Sequence, residues 1–384
     1  MHRGIATFTL DYGRCPKWLF ERMTRLGREI VQVMIAEYGP DEFIKRIADP
    51  VWFQSLGTVL AFDWNASGLT TILTAALKEA IRGEERDLGI FICGGKGKTS
   101  RKTPEHIQSW GNLLRLPEAH TKNLIYNSRM AAKIDSALVQ DSYQIYHHTF
   151  FFSCSGAWSV VQQGMNIHSQ TARRYHWYSQ HINDLVCEPH SGIASQIRKR
   201  SVLNLTAKGS DHTRDTSTAL VQQHYRSIFQ DFQLLEKYSS KLNTVVRMKI
   251  GKEDLTLLSL HDEDFHSHPV LYENFSKSKY LQKIFWNLCE KKPKSYESLL
   301  STPGVGPKTI RALALVAEII YGAKPSYEDP ARYSFAHGGK DAIPYPIDRQ
   351  TYNNTIAMLQ GLVLKTRLNP IEKDKAIKRI CHTA

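Results

Sequence analysis

The sequence predicts an α+β protein: a mixed N-terminal domain containing a β-hairpin, then a mostly α-helical C-terminal domain. Three observations carry this. Residues 143–166, YQIYHHTFFFSCSGAWSVVQQGMN, are rich in aromatic and β-branched side chains on either side of Ser155-Gly156, the composition of two paired strands and their turn. From Ala219 onward, apolar residues recur almost continuously at helical spacing. Between them, RKRSVLNLTAKGSDHTRDTST (198–218) is poor in apolar residues and rich in charges and hydroxyls, the mark of a linker or long exposed loop. The expected division is therefore 1–200 for the mixed domain, 201–217 for the linker and 218–384 for the helical domain.

Taken in order, Trp18, Leu19, Met23, Leu26, Ile30, Val33 and Met34 put a helical stripe on the first segment, which runs from Pro16 to about Ile47. Gly39-Pro40 interrupts it, and Asp41 can cap the next helix. GLTTILTAALKEAIR (68–82) reads as another helix, and LGIFICGG (88–95) as a buried strand running into a glycine turn. Thr103-Pro104-Glu105 has the form of a helix start. In the second half, 219–242, 276–291, 295–301, 307–322 and 349–364 read as helices, and the closing segment is basic.

The chain of 384 residues carries a formal charge of +13, which suits a polyanionic partner, nucleic acid above all. The six cysteines stand at 15, 93, 154, 187, 289 and 381 with no CxxC pair, so no zinc ribbon or redox motif is expected. The N-terminus MHRGIATFTLDYG lacks the apolar core of a secretory signal, and no apolar run approaches the roughly 20 residues that cross a bilayer. A cytoplasmic, nucleoid-associated protein with no membrane contact is the expectation. Oligomeric state is not readable.

The densest information lies in STPGVGPKTIRALALVAEII (301–320). Ser295 can cap a helix with Tyr296, Leu299 and Leu300 on its apolar face. Gly304-Val305-Gly306 makes a turn in which each glycine is expected to relieve a backbone constraint. Pro307 suits a first helical position, and Ile310, Leu313, Ala314 and Ala317 continue as an amphipathic stripe. This is a helix-hairpin-helix motif, whose outward N–H groups and helix N-terminus bind phosphate without reading sequence. Thr309 and Arg311 stand on the second helix as further DNA contacts.

PGVGPKT (303–309) resembles the hairpin of the helix-hairpin-helix, endonuclease III-like DNA glycosylases. The resemblance covers roughly 60 to 100 C-terminal residues. It implies that Lys308 is a nucleophile and that Asp348, in YPIDRQTYNN (345–354), is the catalytic aspartate. The two lie 40 positions apart, about twice the family interval, across a loop containing SYEDPARYSFAHGGKDAIP. Cys381 stands alone near the C-terminus, so the four-cysteine iron–sulfur cluster of many relatives is absent and no cofactor or metal is expected. Along the whole chain, HRGIATFTLDYG, GGKGKTSRKTPE, YQIYHHTFFF, VVQQGMN, ARRYHW and SFAHGGKD resemble the archaeal and bacterial family known as domain of unknown function 763.

The implied activity is a repair glycosylase with an associated lyase step on double-stranded DNA containing damaged bases. An unprotonated lysine amine can attack C1′ and form a Schiff base that permits β-elimination, after the base has left the stack. An aspartate beside it would accept a proton or stabilise the charge developing on the sugar. In the insertion loop His337, Lys340, Asp341 and Tyr345 are candidates for base recognition. Arg349 is a further candidate backbone contact.

Other stretches offer contacts and rivals. GGKGKTSRK (94–102) lacks a full nucleotide-binding loop spacing, yet Lys96, Lys98 and Arg101 can meet a DNA backbone. ARRYHWYSQH (172–181) interleaves cations and rings, so that Arg173, Arg174 and Trp177 can hold an extruded nucleotide; a helix with one buried side explains the same stretch. HDEDFHSH (261–268) has metal-ligand residue types in a loop and reads as solvated. His147-His148 alternates faces of a strand, so at most one points into a core. The rival functions are a metal-dependent, structure-specific nuclease using Asp63, Asp135 or Asp141, and a non-enzymatic DNA-binding protein.

Overall fold

The structure, a computed structural model, describes residues 8–10, 13, 15–60, 65–239, 247–250, 253–256, 275, 277–331 and 349–382. Its elements run at first in the expected order: α1 (Lys17–Tyr38), α2 (Pro40–Ile47), α3 (Pro50–Val59) and α4 (Ala66–Ala80). Gly39, with φ of 80°, ends α1, and Pro40 opens α2. Asp49 and Asn65 cap α3 and α4 through their side chains.

A single turn, α5 (Glu85–Leu88), leads to β1 (Ile90–Lys96). Then come α6 (Lys98–Arg101), α7 (Thr103–Leu114), α8 (Glu118–Ala137) and the two-residue β2 (Val139–Gln140). The expected hairpin is β3 (Gln144–Ser153) and β4 (Trp158–Asn166), and it continues into β5 (Thr171–Tyr178) and β6 (His190–Ser195). These strands form a five-stranded sheet in the order β1-β3-β4-β5-β6, antiparallel throughout. ARRYHWYS is thus a central strand rather than a helix.

Beyond the sheet lie β7 (Leu203–Asn204), α9 (Asp211–Gln222), α10 (Tyr225–Ser239), the pair β8 (Arg247–Ile250) and β9 (Glu253–Thr256), α11 (Lys279–Lys291), α12 (Tyr296–Ser301), α13 (Pro307–Ile319), α14 (Arg349–Lys365) and α15 (Pro370–His382). No helix among the described residues is long and apolar enough to cross a membrane.

The sheet is a middle layer. Ile90, Ile92, Phe151 and Val161 face a core made with α1–α4, which also takes Leu359, Leu362, Val363, Ala376 and Ile380 from the last two helices. Phe91, Phe150, Phe152, Val160 and Trp177 face the opposite core, shared with α8 and with Leu281, Leu299, Ile310 and Leu313. Strand side chains alternate, so a strand covered on both faces buries every residue. All eight positions of β5 are buried accordingly.

Two expectations are corrected. Both cores cross the boundary expected at 201–217. That segment is not an exposed loop, since Val202, Leu203, Leu205, Thr206, Thr213 and Arg214 are buried. Its polar side chains read as a linker because their partners are remote: Asn204 Nδ2 donates to the Glu328 carbonyl at 3.3 Å, and Thr213 Oγ1 to the Ala323 carbonyl at 2.7 Å. His147 and His148 are both buried, one on each face. His147 bonds Thr74 and Thr149; His148 bonds Ser128 and Gln162.

Candidate nucleic-acid interface

The corner between α12 and α13 is built by local chemistry. Ser295 and Ser298 exchange side-chain and backbone hydrogen bonds in a capping box, at 3.1 and 3.0 Å. Thr302 ends α12 and accepts from Val305 N–H at 3.2 Å. Gly304 takes φ of 88°, and a Cβ there would lie 2.3 Å from Ile284 Cδ1, so this position demands glycine. Gly306 differs from the expectation. Its φ of −152° is extended backbone that any residue adopts, and a Cβ would meet nothing. Pro307 opens α13, whose first-turn N–H groups have no acceptor within the helix.

Burial separates the predicted hairpin contacts. Gly304 is exposed, while Gly306, Lys308 and Arg311 are half-buried. Val305 is packed in the core and anchors the turn. Thr309 is fully buried, because its position in the first turn faces the core beside Ile310, so it is not a DNA contact.

The corner is held against the sheet layer by two side chains that sequence reasoning missed. Lys133 of α8 donates through Nζ to the Thr302 carbonyl at 3.1 Å, and burial pushes its pKa down. Gln140 of β2 donates to the Pro307 carbonyl at 3.0 Å and accepts from Arg311 Nε at 2.8 Å. No local pattern signals either, since both partners lie more than 160 positions away.

Beside Gln140 stands Asp141, part of a buried ion cluster. Arg173 Nη1 donates to Asp141 at 2.9 Å, and its Nη1 and Nη2 reach both oxygens of Asp329 at 2.9 and 2.7 Å. Tyr175 Oη also donates to Asp141, at 2.6 Å. Burial alone would lower the Arg173 pKa, but the two carboxylates more than offset this and hold it charged. Lys199 closes the cluster: its N–H donates to Asp329 at 2.7 Å, and its Nζ lies 5.2 Å from the Tyr143 ring centre.

Arg173, Arg174 and Trp177 therefore do not touch nucleic acid. Each side chain is fully enclosed by the layers on both faces of β5. Arg174 Nε donates to His176 Nε2 at 2.8 Å, and its guanidinium lies 4.7 Å from the Phe53 ring centre. Trp177 Nε1 donates to Asp135 at 3.0 Å. Asp135 also accepts from Gln162 and from His190, the latter at 2.5 Å. Both oxygens of Asp135 are thus engaged in hydrogen bonds, and Asp141 is held by Arg173 and Tyr175. Among the described residues no group of His, Cys, Asp and Glu has the arrangement of a metal site.

Lys96, Lys98 and Arg101 are all exposed at the end of β1. Gly94, with φ of 90°, sets their path: a Cβ there would lie 2.3 Å from the His148 carbonyl oxygen. Asp348, His337, Lys340, Asp341, Tyr345, Asp63, the 261–268 stretch and the side chain of Arg349 lie outside the described residues. A cleft of about 1060 Å³ opens at the other end of α12, between Asn127, Trp158, Asp211, Arg214 and Tyr296. No sequence pattern marked it, because its walls come from five separate segments.

The model of the family described as a protein of unknown function, DUF763, matches residues 4–347. No curated protein and no solved structure matches the chain.

Proposed function

The chain belongs to the DUF763 family, and we propose that it is a DNA-repair glycosylase with an associated lyase step. The observation that carries the reading is the α12–α13 corner. It presents an exposed glycine turn, the start of α13 and the half-buried Lys308 at one surface. The charge of +13 supports a polyanionic partner. No observation favours the nuclease reading, whose described carboxylates are occupied by hydrogen bonds.

In this reading the turn grips a backbone phosphate, and Lys308 Nζ bonds to C1′ as the C1′–N bond breaks. The base departs with the bonding electrons and takes up a proton. Ring opening leaves a protonated imine. Loss of the C2′ proton then breaks the C3′–O bond and releases the 3′ phosphate, and water hydrolyses the imine. Asp348 is proposed as the carboxylate that stabilises charge on the sugar, and His337, Lys340, Asp341 and Tyr345 as contacts to the extruded base.

Borohydride trapping on a panel of single-lesion duplexes in EDTA tests this. We expect a covalent adduct with at least one lesion, lost in Lys308→Gln. An adduct that persists in Lys308→Gln overturns the assignment of the nucleophile. Cleavage that appears only with Mg²⁺ overturns the reaction class.

A further inference from the structure

We propose that one end of the central sheet is a second duplex-DNA backbone site, separate from the α12–α13 corner. The proposal extends the DNA reading without depending on the glycosylase chemistry.

Topology brings two basic clusters to the same end of the sheet. β1 finishes at Lys96, and Lys98, Arg101 and Lys102 come directly after it. β6 runs parallel to β1 and finishes at Ser195, shortly before Arg198 and Arg200. β1 and β6 are the two outer strands of the five. Strands lie about 4.8 Å apart, so the clusters stand roughly 19 Å from each other. That separation brackets a major groove about 12 Å wide together with the phosphate rows on either side. An RNA duplex, whose major groove is narrow, fits less well.

The charges are also uncompensated. All six side chains are exposed, and among the described residues none has a carboxylate within 4.0 Å. Some exposed cations elsewhere are paired, as Lys17 is with Glu21, Arg25 with Glu372, Arg82 with Glu79, Lys122 with Glu118, Lys365 with Glu37 and Lys378 with Asp374. A polyanion site requires uncompensated cations, because releasing counterions from a backbone takes charges that are not already neutralised.

The clusters are held rigidly. Gly94 cannot carry a side chain without striking β3, and Lys96 Nζ lies 5.9 Å from the Tyr146 ring centre. On the other side, Lys199 N–H is fixed to Asp329, between Arg198 and Arg200.

The experiment measures the affinity of the full chain for an undamaged mixed-sequence duplex against salt. Removing one phosphate-binding cation lowers the log–log slope by about 0.9. K96Q/K98Q/R101Q/K102Q is expected to lower it by about 3 to 4, and R198Q/R200Q by about 2. The control K17Q/K122Q/K378Q is expected to leave it unchanged. Melting temperatures confirm that each variant is folded, as surface changes away from the core should be. An unchanged slope in either basic set, or an equal loss per charge in the control, overturns the proposal. Gly306→Ala separates the two sites. If it weakens binding while both basic sets keep the slope, the sheet-end site falls and the corner stands. If the basic sets lower the slope and Gly306→Ala binds normally, the corner falls and the sheet end stands.

Discussion

Gly304 and Gly306 look equivalent in the sequence, yet the structure separates what each contributes, and replacing each by alanine tests the grip directly. At Gly304, φ of 88° places any Cβ in the left-handed region, which costs about 1–2 kcal/mol for a non-glycine residue. The new Cβ would also lie 2.3 Å from Ile284 Cδ1, the end of a core side chain. Turning that side chain off its rotamer adds about 0.5–1.5 kcal/mol. Gly304→Ala should therefore lose about 2–3 kcal/mol of stability in denaturant unfolding. At Gly306 neither penalty exists. A less mobile unfolded chain favours alanine there by about 0.4–1 kcal/mol. Alanine is the poorer N-cap by a similar amount, so stability should stay within about 0.5 kcal/mol. The methyl group would nonetheless project into the open space beside the turn assigned to the phosphate. Losing one charge-assisted hydrogen bond, about 1.5–3 kcal/mol, should weaken duplex binding about ten-fold or more. A Gly306→Ala protein that binds DNA as tightly as the parent refutes the backbone grip. A Gly304→Ala protein of unchanged stability refutes the turn geometry.

The buried polar groups give two further expected outcomes. Asp329→Ala leaves Arg173 charged and half its bonds unmade, which should cost about 3–5 kcal/mol in urea unfolding; a loss below about 1 kcal/mol would show that water or a neighbour compensates. Burial lowers the pKa of His147 to about 3 and also lowers those of His148 and His176, so the fold holds them neutral. Below pH 6.5 the unfolded chain takes up protons that the folded chain refuses. Stability should therefore fall as pH drops from about 6.5 toward 3, by about 2 kcal/mol for His147 alone at pH 5. His147→Gln should flatten the profile, and equal stability of the parent at pH 7 and pH 5 would contradict the assignment.

The parts of the fold that were legible share one property: their determinants are local. The Ser155-Gly156 turn, the Gly39-Pro40 break and the Ser295 cap act within a few residues, and each stands where the sequence placed it. β5 was misread because its determinants are not local. Arg173 and Arg174 suggest a surface, and remote partners such as Asp329 and Gln54, 156 and 120 positions away, help make their burial tolerable. The same holds for 201–217, whose hydroxyls look solvated until a remote acceptor such as the Ala323 carbonyl, 110 positions from Thr213, comes within reach. At the candidate site, the glycine turn was legible and its supports were not. Lys133 and Gln140 are unremarkable residues in the chain, and they matter because the sheet layer brings them against the corner.

Gln140 and Asp141 also couple the corner to the rest of the sheet layer. Successive residues along a strand project to opposite sides. Gln140 ends β2 facing the corner, where it fixes the Pro307 carbonyl and Arg311; Asp141, the next residue, turns inward to Arg173 and Tyr175. Arg173 in turn fixes Asp329, which holds the backbone N–H of Lys199 between two of the cations at the sheet end. One short segment therefore links the α12–α13 corner, the buried ion cluster and the basic end of the sheet through bonds of 2.6 to 3.0 Å. A charged cluster buried this deeply is a weak source of stability, since desolvation takes back most of what attraction gives. Its geometric demand is strict, however, because a bidentate guanidinium tolerates little displacement of its carboxylates. The physical reason to retain such a cluster in the middle layer is registration: it fixes the spacing between the α12–α13 corner and the basic end of the sheet, the two surfaces proposed to meet a single duplex.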